Sequence, residues 1–554
     1  MRAVVVGVVL GALLAAANTY ACLSIGYMDG GNIVASALSF ALFAVLRPRH
    51  GYTERENNIT QAIASSAALM SFTAGLVGAI PGLLMLGHTY PWWGLMCWGI
   101  ALALLGVGVA LLLRTRLLIT DNLPFPTGKA AGELIVAMHQ GASAALRRAR
   151  LLMLAGAVAA LITLARDVLH AFPLDWFFPG AIAGVSLAAL SMGVSLSPLV
   201  LSTGLMIGAR GGFDMLLGSL LGWLLLVPQL VRFGTIDATH LERATNWLMW
   251  PGTAMVVASS FTSLGLDWRS TLGALQDLTK LRARDANRTG GEQLGISLVL
   301  IGLGTSAVLA LAYVLFEMTP GKTLLVVLGT MVLAAVCARA AGETDTAPAG
   351  TVGGISQMLF GRPSVVTSLA SGALTAGVSC QVAGALWAMK SGLRVGASLR
   401  AQVWAQIIGA VVGALVVVPV YALLIQVYGL GSPQIPSAGV LSWTVTAEAV
   451  TGGAGMPPFA GKAALIAFAL GILFTWLGRA GNRFAPSPVA LGIGFFLPPA
   501  MCVTVCLGGF AAGLLAKKRP AFSEEFLPSM AGGAIAGEAL LAVLLAALSV
   551  LGLR

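Results

Sequence analysis

From residue 3 to residue 552 the chain is a succession of apolar runs, each close to the length of a membrane crossing. A helix needs about 20 apolar residues to traverse the hydrocarbon core of a bilayer. In the first half these runs lie at about 3–25, 32–46, 56–81, 92–113, 151–165, 177–200, 202–231 and 246–265. In the second half they lie at about 293–316, 322–340, 367–389, 401–425, 463–478, 487–515 and 529–552. Only 10% of the residues are charged, against about 25% in soluble domains. The short alternating segments of a β-barrel are absent. The pattern predicts an all-α polytopic integral membrane protein with about 14–16 transmembrane helices. The run at 3–25 is read as a first membrane helix rather than a cleaved leader.

The 69 glycines suit close helix packing, and Gly-rich faces are compatible with a homodimer. The net charge of +11 comes from Lys and Arg in short loops beside apolar runs, so it is no sign of nucleic-acid binding. Arg47, Arg49 and Arg55 mark one cytoplasmic loop; Arg114, Arg116, Lys129, Arg147, Arg148 and Arg150 mark another. The N-terminus is therefore expected inside, in a cytoplasmic (inner) membrane. The mixed-charge stretch 266–292 reads as a cytoplasmic linker between membrane halves 1–265 and 293–554. Basic residues flank both ends of 487–515, and Pro498-Pro499 lies midway, which predicts a re-entrant hairpin.

Polar residues inside apolar runs are costly and face protein or water. Gly342-Glu343-Thr344-Asp345-Thr346-Ala347-Pro348-Ala349-Gly350 breaks an apolar run with two acids and helix-breaking residues. Such a break is tolerated only where protein or water surrounds it, and a desolvated acid there could load and release a proton near neutral pH. A plain polar loop is the competing reading. Asn57, Gln61 and Ser65 share one helix face, as do Thr367, Ser371, Thr375 and Ser379, with Gln381 following. Hydrogen bonding between helices is the plain role of such stripes; lining a substrate path is the sharper one. Lys129 and Glu133 are four apart and suited to an ion pair. Leu123-Pro124 with Gly128, Ala130 and Glu133 echoes Leu527-Pro528 with Gly532, Ala534 and Glu538, and the run 367–379 echoes 60–75, a faint sign of duplication.

No His-Glu-x-x-His, Gly-x-Ser-x-Gly or phosphate-binding loop is present. The six cysteines are scattered and the five histidines dispersed, so neither a metal site nor a cofactor is expected. Acids and amides beside broken apolar helices suit ion-coupled transport rather than enzyme chemistry. A channel, or a membrane enzyme acting on lipid-like substrates, is the alternative.

Several stretches together resemble the oligopeptide transporter family. They are Glu56-Asn57-Asn58 with Gln61, Leu123 to Gly128 with Glu133, Gly342 to Asp345 with Pro348 and Gly350, and Gly377 to Gln381. Gly396 to Ser398 with Arg400 to Gln402, Pro486-Ser487-Pro488 with Gly492, Leu497 to Pro499, and Gly537-Glu538 complete the set. The bacterial and yellow-stripe-like branch is the most similar, since the Asn-Pro-Gly and Lys-Ile-Pro-Pro-Arg signatures of the eukaryotic peptide branch are missing. The resemblance implies about sixteen helices from a duplicated half. It also implies proton-coupled symport of small peptides, peptide-like compounds or metal-chelate complexes. By the same resemblance Glu343 and Asp345 are expected to contact coupling ion or substrate. Asn57, Asn58, Gln61, Ser379 and Gln381 are expected to line the path, and Glu133 and Glu538 to carry protons.

Overall fold

The computed structural model describes the chain except residues 27, 29, 47–50, 141, 183, 237–241, 267–287, 346, 453–455, 483 and 554. The expected linker 266–292 therefore falls almost wholly outside the described residues, as do Arg47, Arg49, Thr346 and Arg483. The first part of the chain forms α1 (Arg2–Ile25), α2 (Asn32–Leu46), α3 (Glu54–Ala68), α4 (Met70–Thr73), α5 (Ala79–Met85), α6 (Trp92–Arg114), α7 (Pro126–Gln140) and α8 (Ala142–Asp167). After a short β segment come α9 (Pro198–Ser219), α10 (Val227–Arg232) and α11 (Glu242–Leu266). The second part forms α12 (Arg288–Phe316), α13 (Pro320–Thr344), α14 (Ala349–Phe360), α15 (Val365–Val395) and α16 (Leu399–Tyr428). It ends with α17 (Ala438–Thr451), α18 (Ala460–Arg479), α19 (Pro488–Phe496), α20 (Pro499–Lys518) and α21 (Pro520–Val550).

Among the described residues, 11 helical segments are long and apolar enough to cross a membrane. Other apolar runs are carried by shorter or interrupted helices. α2 has 15 residues, the run 56–81 is divided among α3, α4 and α5, and α19 has nine residues.

One run departs from helix altogether. Residues 177–200, expected as a crossing, instead form β1 (Asp175–Phe177), β2 (Ala181–Ile182), β3 (Val185–Ser186) and β4 (Gly193–Ser195) before α9 begins. β1 pairs with β4 and β2 with β3, both antiparallel. The cause is local. Pro179 lacks the N–H that a helix interior uses, and Gly180 and Gly184 adopt φ of 121° and 83°, outside the helical region. Apolar composition alone does not separate such a β segment, whose Phe177, Phe178 and Ile182 stay exposed, from a crossing.

The helices pack as two bundles. One contains α1, α3 to α7 and α12 to α17; the other contains α8, α9, α11 and α18 to α21. In the second bundle α8 pairs with α21, α9 with α20 and α11 with α18, so each pair joins residues before 266 to residues after 460. The bundles meet where α21 lies on α1 and α16, and where α11 lies on α14 and α17.

At the centre of the first bundle, α15 is surrounded by α3, α6, α7, α13, α14, α16 and α17. Its most apolar 18-residue window is completely buried inside the protein. Ser364 caps its start by accepting from Thr367 N, and Gly396 ends it in the left-handed region at φ 65°. In the second bundle small residues allow near backbone contact: Gly156 lies against Gly533 and Gly537, and Gly212 against Cys506. α19 and α20 form a helical hairpin about the extended residues Leu497 and Pro498. At its open end Arg210 donates to Ala485 O at 2.8 Å, and Gly208 meets Gly509, so both arms return to one region of α9. The bend falls at Pro498-Pro499, where the sequence places it, and its second arm, Pro499–Lys518, is itself long and apolar enough to cross a membrane.

Close packing makes a clear prediction. A Cβ at Gly218 would overlap the Leu491 carbonyl oxygen, whereas one at Gly302 meets nothing within 4 Å. Gly218→Leu should cost about 1–3 kcal/mol and lower the thermal unfolding midpoint of the purified protein. Gly302→Ala should leave the midpoint unchanged or raise it. Equal midpoints for the two variants would refute this packing.

Candidate functional site

The acidic motif forms a corner. α13 ends at Thr344, Asp345 adopts the left-handed conformation at φ 63°, and α14 begins after Pro348. The Asp345 carboxylate accepts from Thr127 N at 2.9 Å, Thr127 Oγ1 at 2.6 Å and Trp387 Nε1 at 3.0 Å. Thr127 lies in the first turn of α7, so Asp345 satisfies a free N–H at that helix start and places negative charge at its positive end. Phe125 N donates to Gly342 O at 2.9 Å. The stretches 123–128 and 342–345, far apart in sequence, are thus two sides of one joint.

Glu343 does not have the desolvated environment that proton loading required. Its side chain is exposed and pairs at 3.0 Å with Arg339, which also holds Asp121 at 3.1 Å. Glu133 is likewise exposed, 3.9 Å from Lys129, in the plain i,i+4 pair. It rims an open cavity with Lys390 and Arg394.

Asn57, Asn58, Gln61, Ser379 and Gln381 are fully buried. Asn58 Nδ2 donates to Gln61 Oε1 at 3.0 Å and Ser391 Oγ at 2.9 Å, while Gln402 Nε2 donates to Asn58 Oδ1 at 3.0 Å. Gln61 Nε2 donates to Asn32 Oδ1 at 2.6 Å, and Asn57 Oδ1 accepts from Ser39 at 3.0 Å. Farther along, Gln381 Nε2 donates to Ser66 Oγ at 2.9 Å, and Thr73 Oγ1 donates to Gln381 Oε1 at 3.3 Å. Ser379 Oγ is buried without a hydrogen-bond partner. This uncharged network joins α2, α3, α15 and α16, the plain role for such stripes, and none of these five residues lines a cavity described below.

Glu538 occupies the opposite environment. It is 1% exposed, and its carboxylate accepts from Arg166 at 3.1 Å, from Ser197 Oγ at 2.9 Å and from Leu199 N at 2.7 Å. Arg166 also forks onto Asp167, at 2.6 Å through Nε and 2.9 Å through Nη2. The cluster ties α8, the N-terminus of α9 and α21 together. Arg166 and Asp167 escaped the motif reading, although two charges at the end of the apolar run 151–165 were a visible signal.

Two cavities follow each other along the seam between the bundles. One, of about 410 Å³, is lined by Asp175, Trp223, Asn246, Leu441 and Phe496 among others. The next, of about 310 Å³, is lined by Ser260, Pro348, Thr351, Gln357, Trp443 and Val489 among others. Thr351 lies 3.2 Å from Ser260 across the seam, and Gln357 donates to Trp443 O at 3.3 Å. The two cavities are met in sequence on three helices: Asn246 then Ser260 on α11, Leu441 then Trp443 on α17, and Phe496 then Val489 on α19. Burial lifts the Asp175 carboxyl above its ordinary range, opposed by Ser195 across the β1–β4 pair and by the charge of Arg166. Among the described residues no group of three or more His, Cys, Asp or Glu could hold a metal ion.

The geometry separates structural acids from others. Asp345→Asn should weaken the α7 cap and destabilise the protein by about 1–2 kcal/mol. Glu343→Gln, removing a partly exposed pair, should change stability by less than about 1 kcal/mol. Chemical-denaturation or thermal-melt midpoints of the two variants check the order, and a larger loss for Glu343→Gln would refute it.

Comparison with known proteins agrees with this architecture. The family model described as OPT oligopeptide transporter protein matches residues 1–549. A Haemophilus influenzae protein provisionally named an oligopeptide transporter is 28% identical over 593 aligned positions, covering 95% of this chain and 92% of its own. The Saccharomyces cerevisiae protein YGL114W, with the same provisional name, is 22% identical over 92% of this chain and 90% of its own. A match across nearly the whole length, on a polytopic helical fold, makes this chain a membrane transporter belonging to the oligopeptide transporter family.

Proposed function

We propose that the protein is a secondary active transporter that moves small peptides, peptide-like compounds or metal-chelate complexes together with protons across the cytoplasmic membrane. The observation that carries this reading is the pair of cavities stacked along the seam between two bundles. A path at the interface of two packing units can open alternately to either side when the units rock against each other. The second cavity is lined by the break between α13 and α14, where Pro348 starts a new helix. Irregular backbone of that kind is tolerated in a membrane protein where it borders a cavity.

Glu538 is the proton carrier in this reading. Its environment holds Arg166, Asp167 and Ser197, with Tyr20 close enough to feel its charge. Protonation would cancel one arm of a buried ion pair that joins α8 and α21. A buried pair broken on one side is strongly destabilised, so a proton there would shift how these helices pack. The amides Asn57, Asn58, Gln61 and Gln381 hold the first bundle rigid, and Asp345 fixes the corner from which α14 projects towards the seam.

Reconstitution in liposomes with a pH-sensitive dye inside tests the proposal. With an imposed voltage, addition of pooled small peptides or of metal chelates should acidify the interior. Glu538→Gln should abolish the acidification, while Glu343→Gln should keep most of it. Uptake of solute with no proton movement in the wild type would overturn the coupling. Coupling that survives Glu538→Gln would overturn the assignment of the carrier.

A further inference from the structure

Resting on the transport reading above, the structure assigns the first seam cavity as a recognition site for the primary ammonium group of a small peptide, with Asp175 as its counter-charge. Among the described residues lining this cavity, Asp175 is the one charged side chain. Its Oδ1 is buried and has no hydrogen-bond partner. The neighbouring cation is already committed, because Arg166 forks onto Asp167 and also donates to Glu538. Asp175 is half-buried, and one carboxylate oxygen withdrawn from water without a donor is costly. An ammonium group entering the cavity would supply the missing charge and donors.

A second unsatisfied group lines the same space. Trp223 is 6% exposed, and its indole Nε1–H has no acceptor. A donor and a carboxylate bordering one cavity match the start of a peptide, where an ammonium group is followed by a carbonyl oxygen. Asn246 adds an amide, and Phe177 and Phe496 add apolar wall for side chains. The volume, about 410 Å³, falls within the range of small-ligand sites.

The site is held rigidly on one side and assembled from both bundles. Asp175 stands opposite Ser195 in the β1–β4 pair. Ser195 N donates to Thr504 Oγ1 at 2.8 Å and Ala500 N donates to Ser191 O at 3.0 Å, which fasten the β segment to α20. Met85, Pro433 and Leu441 close the cavity from the other bundle. A peptide bound here would touch both units of the seam, as a transported solute must if its binding is to bias their movement.

Calorimetric titration of the purified full chain with trialanine and with N-acetyl-trialanine tests the assignment. The wild type should bind the free amine at least about tenfold more tightly, the effect of one charge-assisted hydrogen bond. Asp175→Asn should remove that preference by weakening trialanine alone, and Asp175→Glu should restore part of it. Trp223→Phe, which removes the indole N–H donor together with the five-membered ring that carries it, should weaken both ligands alike. Equal binding of the two ligands by the wild type, a comparison that needs no variant, would overturn the assignment. So would a preference that persists in Asp175→Asn; peptide-driven acidification in liposomes would then leave the transport reading standing. Failure of the wild type to bind either ligand would overturn the assignment and the peptide reading together.

Discussion

Burial of α15 is the constraint on which the rest depends. This helix carries Thr367, Ser371, Thr375, Ser379, Gln381 and Ser391, and a helix so polar cannot face lipid without leaving groups unsatisfied. The fold answers by surrounding it. Thr375 bonds Thr330 and Ser356, Gln381 bonds Ser66, and Ser391 bonds Gln61, so α13, α14 and α3 are each anchored through side chains of α15. In a bilayer the hydrophobic effect does not drive helices together, so packing and hydrogen bonds of this sort take its place. Apolar helices such as α12 and α18, with far less of their length buried, fit the outside.

Charge is distributed by a related rule. Several acids form ion pairs that remain in contact with solvent, as with Glu343 and Arg339 or Glu133 and Lys129. Asp345 is half-buried, yet three donors satisfy it. The motifs by which the family is recognised are in good part joints of the fold. Leu123 to Gly128 and Gly342 to Asp345 are joined because each completes the other's hydrogen bonds. Glu538 and Arg166 break the pattern, since both are withdrawn from water. A buried ion pair is weak evidence for stability.

The seam between the bundles carries what the core excludes. Where glycines bring backbones into contact, as between α9 and α20, no room for solute is left. Between bundles the contacts are sparser, and the two cavities described above lie there. Their linings mix hydroxyls, amides and aromatic rings with aliphatic residues, glycine and proline, and hold one carboxylate. Weak, dispersed contacts suit a solute that must leave as well as enter.

The division between sequence and tertiary structure has a physical basis. Hydropathy determined the class of fold, because length and apolarity set what can span a bilayer irrespective of partners. Local chemistry also determined caps and breaks: Pro498-Pro499 marks a hairpin, and Pro348 marks the start of α14. Stripes such as Asn57-Gln61 and Thr367-Ser371-Thr375 announced protein-facing sides, since a side chain's face follows from helical period alone. Which polar residues meet across hundreds of positions was not legible. Asp345 with Thr127, Asn58 with Gln402, and Arg166 with Glu538 are long-range pairings that period and composition leave undetermined. The run 177–200 departs from helix for a local reason: Pro179, Gly180 and Gly184 break the backbone pattern, and Phe177, Phe178 and Ile182 stay exposed although the run is as apolar as a crossing. Whether an acid is a cap, a surface ion pair or a buried charge was likewise decided by what the completed fold places beside it.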